Sequence, residues 1–225
     1  MKKQILIIGL GRFGVSLATA LFNMGHDVLG VDEDEKRVQS VAAQITRAVQ
    51  ADATDESVLK GLGVSNFDVG IVTMGVTIQN SVLSTLLLKR LRVPFVVARA
   101  ESDLHGSILE KIGADRVVYP ERETGVRVAH ELTLIDVVDY ISVAPGYGVY
   151  KVITSQWLVG KTLSELDLGR GGKWDLAVLL VQRGKELVIS PDLLETVRQG
   201  DVLIIAGSDE RLEEFLTEAR KKKSG

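Results

Sequence analysis

From Gln4 to about Leu134 the chain alternates short, continuously apolar runs with stretches whose apolar residues recur at helical spacing. The runs are ILIIG, DVLGV, RAVQ, DVGIVTM, PFVVARA and DRVVYP. Strands that are apolar at successive positions, not at every second one, are covered on both faces. Their alternation with helices predicts a doubly wound, Rossmann-type parallel sheet. Between the first two runs Ala18, Leu21 and Phe22 share one helical face, and Gly25 supplies a stop; between the fourth and fifth, Val82, Leu83, Leu86 and Leu87 form a similar face.

After about Ile135 the rhythm changes. DYISVAPGYGVYKVITS carries Pro145, Gly146 and Gly148 between apolar stretches and reads as a boundary. Beyond it, DLAVLLVQRGKELVIS predicts two strands joined at Arg183 and Gly184, and RQGDVLIIAG a turn and a third strand. SDERLEEFLTEA predicts a capped helix with Leu212, Phe215 and Leu216 on one side. The expected fold class is therefore α/β: a Rossmann-type nucleotide-binding domain over residues 1–137, a small α+β domain over 138–220 and a basic tail over 221–225.

Composition narrows the functional classes. With 225 residues, 45% of them hydrophobic and 25% charged, the chain can bury one full core and a smaller one. A net charge of −3, with lysines clustered only at Lys221, Lys222 and Lys223, offers no footprint for nucleic acid. The absence of cysteine excludes disulfides, thiolate catalysis and cysteine zinc sites, while His26, His105 and His130 lie far apart without ligand spacing. No apolar run approaches the roughly 20 residues of a membrane span, and Met-Lys-Lys leads straight into a strand. A cytoplasmic chain is expected, one that can still dock on a membrane protein.

The chemistry concentrates at the carboxyl ends of the predicted strands. GLGRFG places Gly9, Gly11 and Gly14 in the spacing of a dinucleotide fingerprint, directly after the first strand and at the start of a helix, with Arg12 and Phe13 inside the motif. The first glycine permits the turn, the second the approach of a phosphate and the third close helix packing; the helix N-terminus supplies donors and partial positive charge. Asp32, ending the second strand, suits ribose hydroxyls and repels a 2′-phosphate. Further strand ends carry Asp52, Ala53 and Thr54, then Thr73, Met74 and Gly75, then Arg99. Asp52 and Thr54 either cap the next helix or face the ligand, with Asp52 placed to hold an adenine amino group. No histidine is placed by a motif to serve as acid or base facing a nicotinamide, whereas Arg12 and Arg99 suit terminal phosphates. Two readings follow: a protein that senses its nucleotide, or a small NAD-dependent oxidoreductase.

The chain resembles the RCK (KTN/TrkA-type) regulatory proteins of potassium channels and transporters, in particular the single-RCK cytosolic subunits of Ktr systems. ILIIGLGRFG, VDEDE, ADATDESVLKGLGVSNFDVGIV, NSVLSTLLLKRL, GADRVVYPERETGVRVA, DYISVAPGYGVYKV, VGKTLSELDL and GDVLIIAG carry the resemblance, which covers nearly the whole chain. It implies a non-enzymatic, nucleotide-sensing subunit that gates a membrane potassium-uptake protein at the inner face of the cell membrane. It further implies homodimers that assemble into an octameric ring whose shape depends on ATP or ADP, with NAD(H) as the other candidate ligand. By the same resemblance Gly9, Gly11, Arg12, Phe13 and Gly14 line the nucleotide and Asp32 holds the ribose. Asp52 and Ala53 lie near the adenine, and Arg99 near the terminal phosphates. Glu121 matches a glutamate that contributes to a divalent cation site, magnesium or calcium, between paired nucleotides; at the start of a helix, a carboxylate is also favoured by the dipole alone. Glu101 stands where relatives often carry a neutral amide. The second domain of some members binds cyclic di-AMP at a dimer interface, but Arg170, Lys173 and Arg183 of this chain read as solvated surface.

Overall fold

The computed structural model describes residues 1–74, 77–134, 136–169 and 171–221. Gly75, Arg170, Lys222 and Lys223 lie outside the described residues. The chain divides into two compact units, Met1–Glu121 and Arg122–Gly225.

In the first unit β1 (Gln4–Ile8), α1 (Arg12–Asn23), β2 (Asp27–Asp32), α2 (Glu35–Val41), β3 (Arg47–Gln50), α3 (Glu56–Gly61), β4 (Val69–Val72), α4 (Ile78–Arg90), β5 (Phe95–Arg99), α5 (Asp103–Lys111) and β6 (Arg116–Val118) follow one another. All six apolar runs form strands, ordered β3-β2-β1-β4-β5-β6 and paired in parallel, so the expected Rossmann-type sheet is present. Successive residues of β1 serve opposite faces. Ile5 and Ile7 pack with Ala18, Val28 and Val41, while Leu6 and Ile8 pack with Val72, Leu88 and Val96. The strand order reverses between β1 and β4, which opens a crevice at their carboxyl ends.

Helix α4 departs from the expected face. Leu83 and Leu86 are exposed, and Ser81, Ser84, Thr85, Leu87 and Leu88 are buried. Small residues let the helix lie close to the sheet, and two of their hydroxyls are satisfied by carbonyls: Thr85 donates to that of Ser81 and Ser84 to that of Ala53.

Helix α6 (Pro120–Thr133) starts at the end of the first unit and runs into the second. It buries no residue, and Leu132 is 76% exposed. The second unit continues with β7 (Val137–Ala144), β8 (Tyr147–Ile153), β9 (Ala177–Arg183), β10 (Glu186–Ile189), β11 (Val202–Ser208) and α7 (Asp209–Lys221). Its five strands form an antiparallel sheet in the order β10-β9-β11-β8-β7. The stretch around Pro145 and Gly146, expected as a boundary, is instead the turn of the β7–β8 hairpin, with Gly146 at φ +74° and Tyr140 opposite Tyr150. Gly148, Tyr150 and Val152 point inward, so the alternation of a one-sided sheet was present in the run. Leu212, Phe215 and Leu216 of α7 are buried, as expected, in a core with Leu163, Leu176, Leu203 and Ile205.

Arg183 is a structural residue of this unit, not solvated surface. Its Nε and Nη2 donate to Asp201 at 3.0 and 2.8 Å, and Nη2 also reaches Glu195 at 2.9 Å. Asp201 is fully buried and also accepts from the Arg198 N–H. Burial alone would raise the Asp201 carboxyl, but the Arg183 hydrogen bonds and the Arg198 N–H hold it below the usual carboxylate range.

Candidate nucleotide-binding site

The loop after β1 is fastened to its neighbours by short hydrogen bonds. Gly9 N donates to Val31 O at 2.8 Å, and Thr73 N to Ile8 O at 2.8 Å. The Thr73 hydroxyl donates to Gly9 O at 2.6 Å, and Leu10 N to Asp32 Oδ2 at 2.6 Å. Thr73, expected at the ligand, thus also holds the glycine turn in place. Asp32 is almost completely buried and accepts from Asp34 N at 2.9 Å through Oδ1, while Arg37 Nη1 lies 3.5 Å from Oδ2.

The three glycines of the motif have different physical reasons. Gly9 has φ +99°, and a Cβ there would come within 3.0 Å of Met74 N. A Cβ on Gly14 would lie 2.0 Å from Gly9 O, so the start of α1 can pack on the turn only with glycine at that position. Gly11 is under no such constraint. Its φ of −71° and ψ of −175° suit any residue, and a Cβ there would meet nothing within 4 Å among the described residues. Gly11 is the N-cap of α1, which has neither a side-chain cap nor an acidic residue in its first turn. Its first N–H groups therefore remain available to an anion at the mouth of the turn.

Gly9, Gly11, Asp32, Asp52, Ala53, Thr73, Met74 and Arg99 all line one cleft of about 380 Å³ at the carboxyl ends of the strands. Arg12, Phe13 and Gly14 do not line it. Gly14 is buried under the turn, and Arg12 lines a groove beside α1 that shares only Gly11 and Arg37 with the cleft. Asp52 accepts from Thr54 N at 2.8 Å and from its hydroxyl at 2.6 Å, closing a local turn. Capping of α3 falls instead to Asp55, which accepts from Ser57 N.

Sequence reasoning missed Glu33, Arg37, Thr77 and Asn80 in the cleft wall. Arg37 and Asn80 come from the first turns of α2 and α4, so the available signal was a polar residue shortly after a strand end. Arg37 stands between Asp32 and Asp34, its Nε 3.7 Å from Asp34 Oδ2.

The other cation of the cleft, Arg99, is held by acids. Its Nη2 and Nε donate to the two oxygens of Glu121 at 2.8 and 3.3 Å, and Glu101 Oε1 lies 3.8 Å from Nη2. Both oxygens of Glu121 lie on the Arg99 guanidinium, and no group of three or more His, Asp or Glu gathers for a metal ion among the described residues of the single chain. None of the three histidines lines the cleft. His105 is buried behind Glu101, its Nδ1 accepting from Glu101 N; burial pushes its pKa below the usual value, Glu101 opposing and Arg99 adding to that shift.

The TrkA-N domain family matches residues 5–120 and the TrkA-C domain family residues 149–219. Ktr system potassium uptake protein C of Bacillus subtilis (strain 168) is 42% identical over 208 residues, covering 92% of this chain and 93% of that protein. Ktr system potassium uptake protein A of the same organism is 38% identical over 216 residues, covering 96% of each. Among solved structures, the GsuK channel bound to NAD aligns with a TM-score of 0.52 at 22% identity, covering 98% of this chain. This chain spans only 39% of that channel's length, and the likeness is one of fold. No helix among the described residues is long and apolar enough to cross a membrane. The paired TrkA-N and TrkA-C matches, with relatives similar over nearly their full length, place this chain in the RCK-type TrkA/Ktr family of potassium-uptake proteins.

Proposed function

We propose that this chain is a cytoplasmic, nucleotide-sensing regulatory subunit of a membrane potassium-uptake system, with the adenine nucleotide in the cleft at the end of β1. The observation that carries the nucleotide is Gly11. Gly9 and Gly14 are explained by the packing of the chain itself, whereas nothing in the chain requires a glycine at Gly11, which lies on the cleft wall at the N-terminus of α1. A phosphate at that position meets the N-terminal N–H groups of α1, the ribose reaches the rim at Asp32, and the adenine lies toward Asp52 and Ala53. Phosphates that extend past Gly11 meet Arg12 across the shared edge of the groove. ATP and ADP are the proposed ligands, with NAD(H) as the alternative, and GsuK bound to NAD shows that one protein of this fold takes that dinucleotide.

Sensing is favoured over hydride transfer by the potassium-uptake relatives and by a cleft wall without histidine. In this reading ATP and ADP bind two conformations of a homo-oligomeric ring with different affinity, and only that difference can move the membrane partner. The unburied helix α6, with Val126, Val128 and Leu132 exposed, supports assembly beyond one chain, for which dimers that build an octamer are the proposed form. Of the cations considered for cyclic di-AMP, Lys173 is paired with Glu218 and Arg183 with Asp201 and Glu195.

The test is the identity of the nucleotide that co-purifies with the protein, the native mass, and calorimetric titration with ATP, ADP and NADH. Binding without turnover in an assembly larger than one chain supports the proposal. Oxidation of NADH, or a monomer that binds none of the three, refutes it.

A further inference from the structure

Arg99 ends β5 at the cleft wall, and its side chain is 17% exposed, fixed by its surroundings. Glu121, which holds it through both oxygens, is 65% exposed on the first turn of α6 and does not line the cleft. Glu101 adds a second carboxylate 3.8 Å from the same nitrogen. One guanidinium therefore faces two acids, and a phosphate approaching Arg99 meets a site that is already negative overall. The asymmetry in exposure decides which partner leaves. Water can replace Arg99 around the exposed Glu121, whereas Arg99 has no comparable route to solvent.

We propose that Glu121 and the phosphate of a bound nucleotide are alternative partners of Arg99, so that Glu121 sets how tightly the cleft holds a phosphorylated ligand. This rests on the adenine-nucleotide reading of the cleft. The occupied cleft holds Arg99 on phosphate and frees Glu121 and the first turn of α6. The empty cleft returns Arg99 to Glu121 and fastens that turn to the end of β5. Since both arrangements share one cation, nucleotide affinity and the anchoring of α6 are linked reciprocally.

The experiment is calorimetric titration with ADP, ATP and adenosine in excess EDTA, on the wild type, Glu121→Gln, Arg99→Gln and the double variant. Glu121→Gln removes the competitor, and at the strength of a partly exposed ion pair it should tighten ADP and ATP about two- to fivefold. Adenosine, which lacks phosphate, should bind unchanged. In the Arg99→Gln background the second substitution should have no effect on ADP. Unchanged or weakened ADP binding by Glu121→Gln overturns the proposal, as does an equal gain with or without Arg99, which would mark a general charge effect. A wild type that binds adenosine but shows no preference for ADP also overturns it while leaving a nucleoside site in place. A wild type that binds none of the three compounds refutes the nucleotide reading itself. Glu121 is exposed, so its variant decides the matter even if Arg99→Gln folds poorly.

Discussion

Two glycines of the opening motif should respond to alanine in opposite ways. In Gly14→Ala the new methyl lies 2.0 Å from Gly9 O and 2.7 Å from the Thr73 hydroxyl. The turn and helix α1 must separate by more than an ångström, against the bonds that tie Gly9 to Val31 and Thr73. Such overpacking costs about 1–3 kcal/mol or more, which for a chain of this size lowers the melting temperature by roughly 5–10 °C. In Gly11→Ala the backbone angles are already those of an ordinary extended residue, and the methyl meets nothing. A gain of about 0.4–1 kcal/mol from a stiffer unfolded chain is offset by a loss of up to about 1 kcal/mol at the N-cap, so the melting temperature should stay within about 2 °C. The same methyl, however, occupies the place proposed for a phosphate. Binding of ATP, ADP or NADH should fall tenfold or more in Gly11→Ala, read by calorimetry at one temperature on folded protein. Gly11→Ala melting as early as Gly14→Ala, or binding nucleotide as tightly as the wild type, would refute the assignment of Gly11 to the ligand.

Arg12→Ala should weaken ATP about tenfold or more while leaving AMP nearly unchanged, from the loss of a charge-assisted contact of about 1.5–3 kcal/mol; equal losses for the two nucleotides would return Arg12 to the surface. Asp32 should make NADH bind more tightly than NADPH, because a buried carboxylate at the rim opposes a 2′-phosphate, and equal affinities by fluorescence titration would contradict this. In the second unit, Arg183→Met strands the buried Asp201 and should cost about 3 kcal/mol in chemical denaturation. The Asp201 carboxyl is held below its unfolded value, so its contribution is present above about pH 4 and is lost as pH falls through the folded pKa. Arg183→Met should abolish that acid-dependent loss, and melting curves of both proteins down the acid range would show it.

The parts of the fold legible in the sequence were those whose burial is two-sided. Leu6, Ile7 and Ile8 are all fully buried, so β1 reads as an uninterrupted run, and β2 and β4 follow the same logic. One-sided burial was harder to read. Tyr150 and Val152 alternate with the half-exposed Val149 and Lys151, and the Pro145 and Gly146 turn hid the hairpin they belong to. Helix α4 misled because its buried face carries Ser81, Ser84 and Thr85 beside Leu87 and Leu88, while Leu83 and Leu86 face outward, against the amphipathic expectation. At the site, strand ends announced themselves through glycine and acid motifs. Arg37 and Asn80 reach the cleft from helix starts, which the spacing of the fingerprint does not encode. The pairing of Arg99 with Glu121 joins two residues each noticed for its own reason; their contact depends on β5 and the start of α6 meeting in space.

The glycine turn is stitched to β2 through Val31 and Asp32 and to β4 through Thr73 before any ligand arrives. The described glycine turn does not have to order itself around a phosphate, so arrival there should proceed at the rate of ordinary encounter and residence should be set by how fast the contacts break. Such a site equilibrates quickly. In the proposed reading its occupancy follows the present nucleotide concentration instead of storing an earlier one, and any delay in the response of a transporter partner would arise downstream, in a slower rearrangement of an assembly.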